Sequence, residues 1–386
     1  MGNRMKKFLI GILVSVIILT GVAGTGLIIV GRPLQGILQG GAYIIASDAP
    51  TLDRQMGRIF HTFYGARVAV CDGSADQVQI MAALVASEAP VTLSGGSFNV
   101  TANITMSKNF QGLIGQGFKT ILKLDAGADD DVIVIKAPAG QQSCWNVIIK
   151  DLKIDGTKAT NSQGSGITGV PRRSILENIW VYQTNDDGIA IEGVGTGNRI
   201  NWPIVEEVGR YGISVNCTDT WITDAIVGNS DNASIYMAGA STKIINGHFW
   251  QNWVGVIVSP LASLTNCQIN DNYFEYMDRE AILVNGCSLY YTTINNNVFW
   301  RNSRDSAGTY NDIDNKIAST YYLQNVTIMG NSFDGHDYSG YGLDLGTRSR
   351  YNLIVGNSFS RMVSGNITGT LTDNIIQANY GAADYP

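Results

Sequence analysis

Charge is scarce in this sequence of 386 residues. Asp, Glu, Lys and Arg make up 15% of it, the net charge is -6, and no lysine- or arginine-rich run occurs. Nucleic acid is thereby excluded as the main partner, because phosphate neutralisation needs a basic patch. Histidine is rarer still, with His61, His248 and His336 too dispersed for a zinc site. Cys71, Cys144, Cys217, Cys267 and Cys287 are odd in number and lack CxxC spacing, so they read as buried small thiols. No GxSxG segment or phosphate-binding loop appears. Proline, at 8 residues, is sparse beside 44 Gly and 32 Asn, a balance that favours many corners between short strands.

What is present begins with a long apolar run. Phe8 to Val30 carry no charge over 23 residues and come after a short segment with three basic residues. That length spans a bilayer as a helix, and the small residues Val22-Ala23-Gly24 alternatively suit a cleaved signal peptide. Both readings export the rest of the chain, to an extracellular or cell- or virion-surface location. Residues 1–30 are therefore read as a membrane anchor (through 8–30) or signal peptide, and 31–70 as a stalk or linker. One soluble helix is expected within 71–90. Asp72 or Ser74 would cap it, and Val78, Met81, Leu84 and Val85 would form its apolar stripe, covering the open end of a long β region.

Beyond residue 90 the chain aligns with itself. Apolar pairs five residues apart recur as Ile149/Ile154, Leu176/Val181, Ile200/Val205, Ile222/Val227, Ile244/Phe249, Ile269/Phe274, Ile294/Phe299, Ile328/Phe333 and Ile354/Phe359. Successive pairs are 22 to 27 residues apart, apart from one 34-residue step that holds an insertion at 301–323. A further strand recurs in phase, in the segments GIAI, GISV, SIYM, GVIV and AILV. Strands this short cannot bury a face alone, whereas coils stacked in parallel satisfy every backbone amide from the coil above and below. Asn272, Asn297, Asn331 and Asn357 stand two residues before the last four phenylalanines, as a structural asparagine ladder at a corner.

These ladders, the roughly 24-residue coil and the Asp72-Gly73 with Asp76 before a cap helix resemble the right-handed parallel β-helix proteins of the pectate lyase and polygalacturonase superfamily, phage tailspike shafts included. The resemblance covers about residues 70 to 375. It implies an all-β fold: a right-handed single-stranded parallel β-helix (solenoid) over 91–375 with an N-terminal cap helix, to which the sequence itself adds the N-terminal hydrophobic segment and a C-terminal tail at 376–386. It also implies polysaccharide as partner, and side-by-side homotrimers as one assembly. Of the family's catalytic motifs, Asn185-Asp186-Asp187-Gly188 and Gly247-His248 match in part, and no Arg-x-Lys stands in phase.

Stacking the repeats brings candidate groups together. Asp186 and Asp187 fall beside Arg210 and Tyr211, with Glu206 and Glu207 on the neighbouring strand of the same coil as Arg210. Adjacent coils are about 4.8 Å apart, so these carboxylates suit the separations used by glycosidases. A solvated turn balanced by Arg210 is the plainer alternative. Trp250, Glu275 and Trp300 occupy equivalent positions one residue after Phe249, Phe274 and Phe299, where alternation turns them outward for sugar stacking and hydroxyl bonding, or for packing beneath the insertion, and Tyr211 is a further candidate sugar contact. Asp129 to Asp131 and Asn311 to Asn315 offer oxygens to calcium without the EF-hand glycine and terminal glutamate, so no resident cofactor is expected. Two functions remain: a surface fibre or adhesin that binds polysaccharide, and a polysaccharide hydrolase or lyase.

Overall fold

The structure, a computed structural model, describes residues 42–55, 67–259, 263–316 and 321–381. It is a right-handed parallel β-helix. One 23-stranded and one 11-stranded sheet run its length, with smaller sheets of four and two strands at the remaining corner. A single coil shows the logic. Trp221–Thr223, Ile226–Gly228 and Ala233–Met237 are three strands separated by bends. Each pairs in parallel with its counterpart one coil on, through Ile222↔Ile244, Val227↔Phe249 and Ile235↔Val256.

Three-residue strands suffice because only the central residue needs to face inward. Ile222, Val227, Ile244, Phe249, Ile269 and Phe274 are fully buried, while their neighbours on both sides face out. The inward phenylalanines form one stack: Phe249, Phe274, Phe299, Phe333 and Phe359 have successive ring centroids 5.1, 5.3, 4.7 and 4.7 Å apart. Burying each ring contributes about 1.5–3 kcal/mol. Bends fall on left-handed residues five apart, such as Asp224 and Asn229, Asn246 and Gln251, Asp271 and Tyr276, or Asn296 and Arg301. Asn and Asp tolerate this conformation best, which accounts for seven of the asparagines, such as Asn229, Asn246 and Asn296.

The asparagine ladder is continuous. Asn272 donates to the Ile244 carbonyl and to Asn297 Oδ1, Asn297 repeats this toward Ile269 and Asn331, and the series runs through Asn357 to Asn379. All five cysteines are buried free thiols.

Four expectations need correction. The helix, Gln77–Ala86, has Asp76 at its N-cap position with no side-chain capping bond, so neither Asp72 nor Ser74 caps it. The fully buried Asp76 carboxylate accepts from Gly73 N and Asn99 N, tying the helix start to the first coils. Its inner face is Gln77, Ile80, Ala83 and Leu84, and Val78 and Val85 are exposed. The stripe is rotated because Gln77 is satisfied by Thr101, bonding its hydroxyl and its backbone N–H, so a polar residue can occupy the buried position. Within the expected linker, Ala42–Ile45 lies between Arg67–Val70 and Val91–Leu93 as a regular parallel strand, so the sheet starts earlier. At the other end Ile375–Gln377 pairs with Leu353–Val355, and Tyr380 bridges to Ser358, so the last coil reaches into the expected tail. The hydrophobic segment at 1–30 lies outside the described residues. Among those described, no helix is long and apolar enough to cross a membrane.

Candidate functional site

The candidate carboxylates fall into two groups. Asp187 is fully buried and gripped by Arg210, whose Nε and Nη2 donate at 2.7 and 2.6 Å, while Tyr211 N donates at 3.1 Å. Desolvation raises its pKa, against the opposing pull of Arg210. Asp186 instead accepts from Gly164 N, and its carbonyl accepts from Arg210 N, as stacking requires. Tyr211 stacks on Tyr236 at 4.6 Å. This cluster clamps the turn into the 11-stranded sheet and leaves Asp187 no open side.

Glu206 ends a strand of the large sheet, and Glu207 takes the left-handed bend that follows it. Glu206 accepts from Trp180 Nε1 at 3.0 Å and Glu207 from Gln183 Nε2 at 2.8 Å. Burial, and then Glu207, raise the Tyr182 phenol. Lys153 sits 3.9 Å over Trp180 and 4.6 Å over Tyr182.

The outward side chains of the large sheet form one register-locked column that joins Glu206 to the aromatic candidates. Asp155, Tyr182, Glu206, Gly228, Trp250, Glu275, Trp300 and Asp334 are consecutive pairing partners. All except Gly228 are half-buried. A Cβ on Gly228 would lie 2.2 Å from the Trp250 ring, so that indole leans back and fills the Gly228 rung. Acid and aromatic then alternate along the column, with Gly228 and Trp250 sharing one indole. Glu275 bonds His248 Nε2 at 2.9 Å, and His248 stacks on Tyr273 at 5.2 Å. Trp300 meets the edge of Tyr276 at 5.0 Å and carries the Arg301 guanidinium at 4.5 Å. Tyr310 of the 301–323 insertion contacts Arg279 and Lys316.

Asp155, Tyr182 and Asp334 were missed in the sequence although the signal was there, since each stands one residue after the second member of an apolar pair, as Trp250 does. A second feature had no such signal. Around the bend from Trp250, exposed Trp253 lines a pocket of about 460 Å³ with Gln251, Asn229, Asp231, Asp278 and Asp305. Partial desolvation raises the Asp278 pKa, with Arg304 opposing and Asp305 adding.

The acidic runs considered for calcium are spent on separate partners. Asp129 accepts from Ser162, Asp130 from Asn103, and Asp131 from Ser165 and Thr168. Asp312 is buried against Asn302 and Ser339, its pKa pushed up to about 7 by burial, and Asp314 faces Lys316.

No protein-family model and no curated protein matches the sequence. Among solved structures, the chain is similar to the A-module of the Azotobacter vinelandii mannuronan C-5 epimerase AlgE6, at 18% identity and a TM-score of 0.57, covering 81% of this chain and 97% of that one. The AlgE4 A-module is similar at 16% identity and a TM-score of 0.60, covering 81% and 92%. A mutant tailspike protein of E. coli bacteriophage HK620, in complex with pentasaccharide, is similar at 14% identity and a TM-score of 0.65, covering 90% of this chain and 66% of that one. At identities this low, the likeness shows the shared fold alone.

Proposed function

We propose that this chain binds polysaccharide along the outward column from Asp155 to Asp334. The observation that carries the reading is the register itself, which holds aromatic rings and carboxylates in alternation on one straight face. Rings offer faces to the apolar sides of sugars, and carboxylates accept from hydroxyls. Two kinds of similar structure support it: an epimerase named for mannuronan and a tailspike holding a pentasaccharide. The chain is read as exported and held at a surface by residues 8–30, in the manner of an adhesin or tailspike-like fibre. The test is affinity electrophoresis on a polysaccharide panel. Trp250→Ala and Trp300→Ala should each weaken retention several-fold by removing an amphipathic ring from the face, with unchanged circular dichroism. Wild-type retention on none of the panel, or full retention by both variants, refutes the reading.

One observation favours a second, enzymatic reading, as a polysaccharide hydrolase or lyase. The Trp253 pocket pairs an aromatic platform with Asp278, whose raised pKa suits a general acid, and with Asp231 and Asp305. Release of reducing ends or unsaturated products that is lost in Asp278→Asn would establish it.

A further inference from the structure

The charge arrangement on the column narrows the class of glycan, given the polysaccharide reading above. Four of its rungs are acidic: Asp155, Glu206, Glu275 and Asp334. The cations beside it are engaged by the column's own groups. Lys153 lies over Trp180 and Tyr182, and His248 bonds Glu275. Arg301 lies on Trp300, and Arg361 donates from Nε to Asp334 at 2.9 Å and again from Nη2. Lys123, one coil beyond Asp155, is the column's own remaining cation, at its far end.

A ligand laid along this column therefore meets the carboxylate acceptors and the Trp250 indole, with one face of Tyr182 and one of Trp300 already carrying a cation. Hydroxyl groups donate to such acceptors. A carboxylate, sulfate or phosphate on the glycan would instead stand against Glu206 or Glu275, where His248 is already bonded to Glu275, and like charges at that range repel. The same column is thus both a binding face for hydroxyl-rich chains and a barrier to polyanions.

We infer that the ligand is an uncharged, hydroxyl-rich polysaccharide lying parallel to the solenoid axis, and that polyanionic glycans are rejected by the acidic rungs.

The full chain is assayed by affinity electrophoresis against a panel of neutral plant and bacterial polysaccharides, together with polygalacturonate and its carboxyl-reduced form. Neutral chains should be retained at least tenfold more strongly than polygalacturonate at low salt. Salt should narrow the gap by screening the repulsion. The Glu206→Gln/Glu275→Gln double variant should gain polygalacturonate binding while losing part of its neutral-glycan binding. Polygalacturonate bound as tightly as the neutral chains, with affinity that falls as salt rises, overturns this inference and leaves the polysaccharide reading standing. Retention by neither class overturns both.

Discussion

Gly228 shows how one missing side chain shapes the binding face. Every other rung of the column presents a polar or aromatic group, and at Gly228 the space is filled from the next coil by Trp250. The Gly228→Ala methyl would occupy the indole's place, so the ring must swing outward while the backbone pairing of the strand persists. Glycan affinity should fall several-fold, with a red-shifted tryptophan emission and a stability change within the 1–3 kcal/mol typical of overpacking. Unchanged affinity alongside a shifted emission would show that the indole's position is irrelevant to binding. Asp187 makes the opposite point. Its Asp-Asp-Gly context read either as part of a catalytic motif or as a solvated turn balanced by Arg210, and the side chain is enclosed by Arg210 and the Tyr211 amide. A sequence does not distinguish a carboxylate beside a cleft from one folded under its own arginine, because that depends on a single side-chain direction at a bend.

Among the elements, the asparagine ladder bears most directly on cooperativity between coils. Asn297 is fully buried, accepts from Asn272 N and Nδ2, and donates to the Ile269 carbonyl and Asn331. Asn297→Ala would leave the buried Asn272 N–H without its acceptor and take the side-chain donor from the Ile269 carbonyl, while Asn331 Oδ1 keeps the backbone N–H of residue 297, and each unsatisfied group costs about 1–3 kcal/mol. Urea denaturation should therefore register a loss of at least about 2 kcal/mol, and a smaller loss would mean that water replaces the ladder. This element was legible because Asn272, Asn297, Asn331 and Asn357 keep a fixed offset from the phenylalanines. The strands were legible for the same reason, since Ile222, Ile244 and Ile269 repeat with their partners five residues on. The cap helix was legible in place and not in rotation: Val78 and Val85 are as apolar as the buried Ile80 and Leu84, and only the Gln77 bonds to Thr101 decide which face turns in. The Trp253 pocket lay beyond reach, because its walls come from bends whose lengths differ from coil to coil.

On the scale of the whole molecule, the solenoid converts a sequence repeat into a ruler. Seven coil steps separate Asp155 from Asp334 in the column, and at about 4.8 Å per step the face is ~34 Å long. A ligand that lies along the axis adds contacts with each sugar until it spans that length, after which further sugars meet no new rung. Affinity for a size-fractionated series of neutral oligosaccharides should thus climb with chain length and level off once the oligomer matches the face. The gain would appear mainly in slower dissociation, as is usual among related complexes of one interface. A pocket confined to Trp253 and its aspartates would behave differently, with affinity already saturated by the shortest oligomers that fill about 460 Å³. Titration calorimetry across the series separates the two: a plateau at long oligomers places the ligand on the column, and one at di- or trisaccharides moves it to the pocket around the bend.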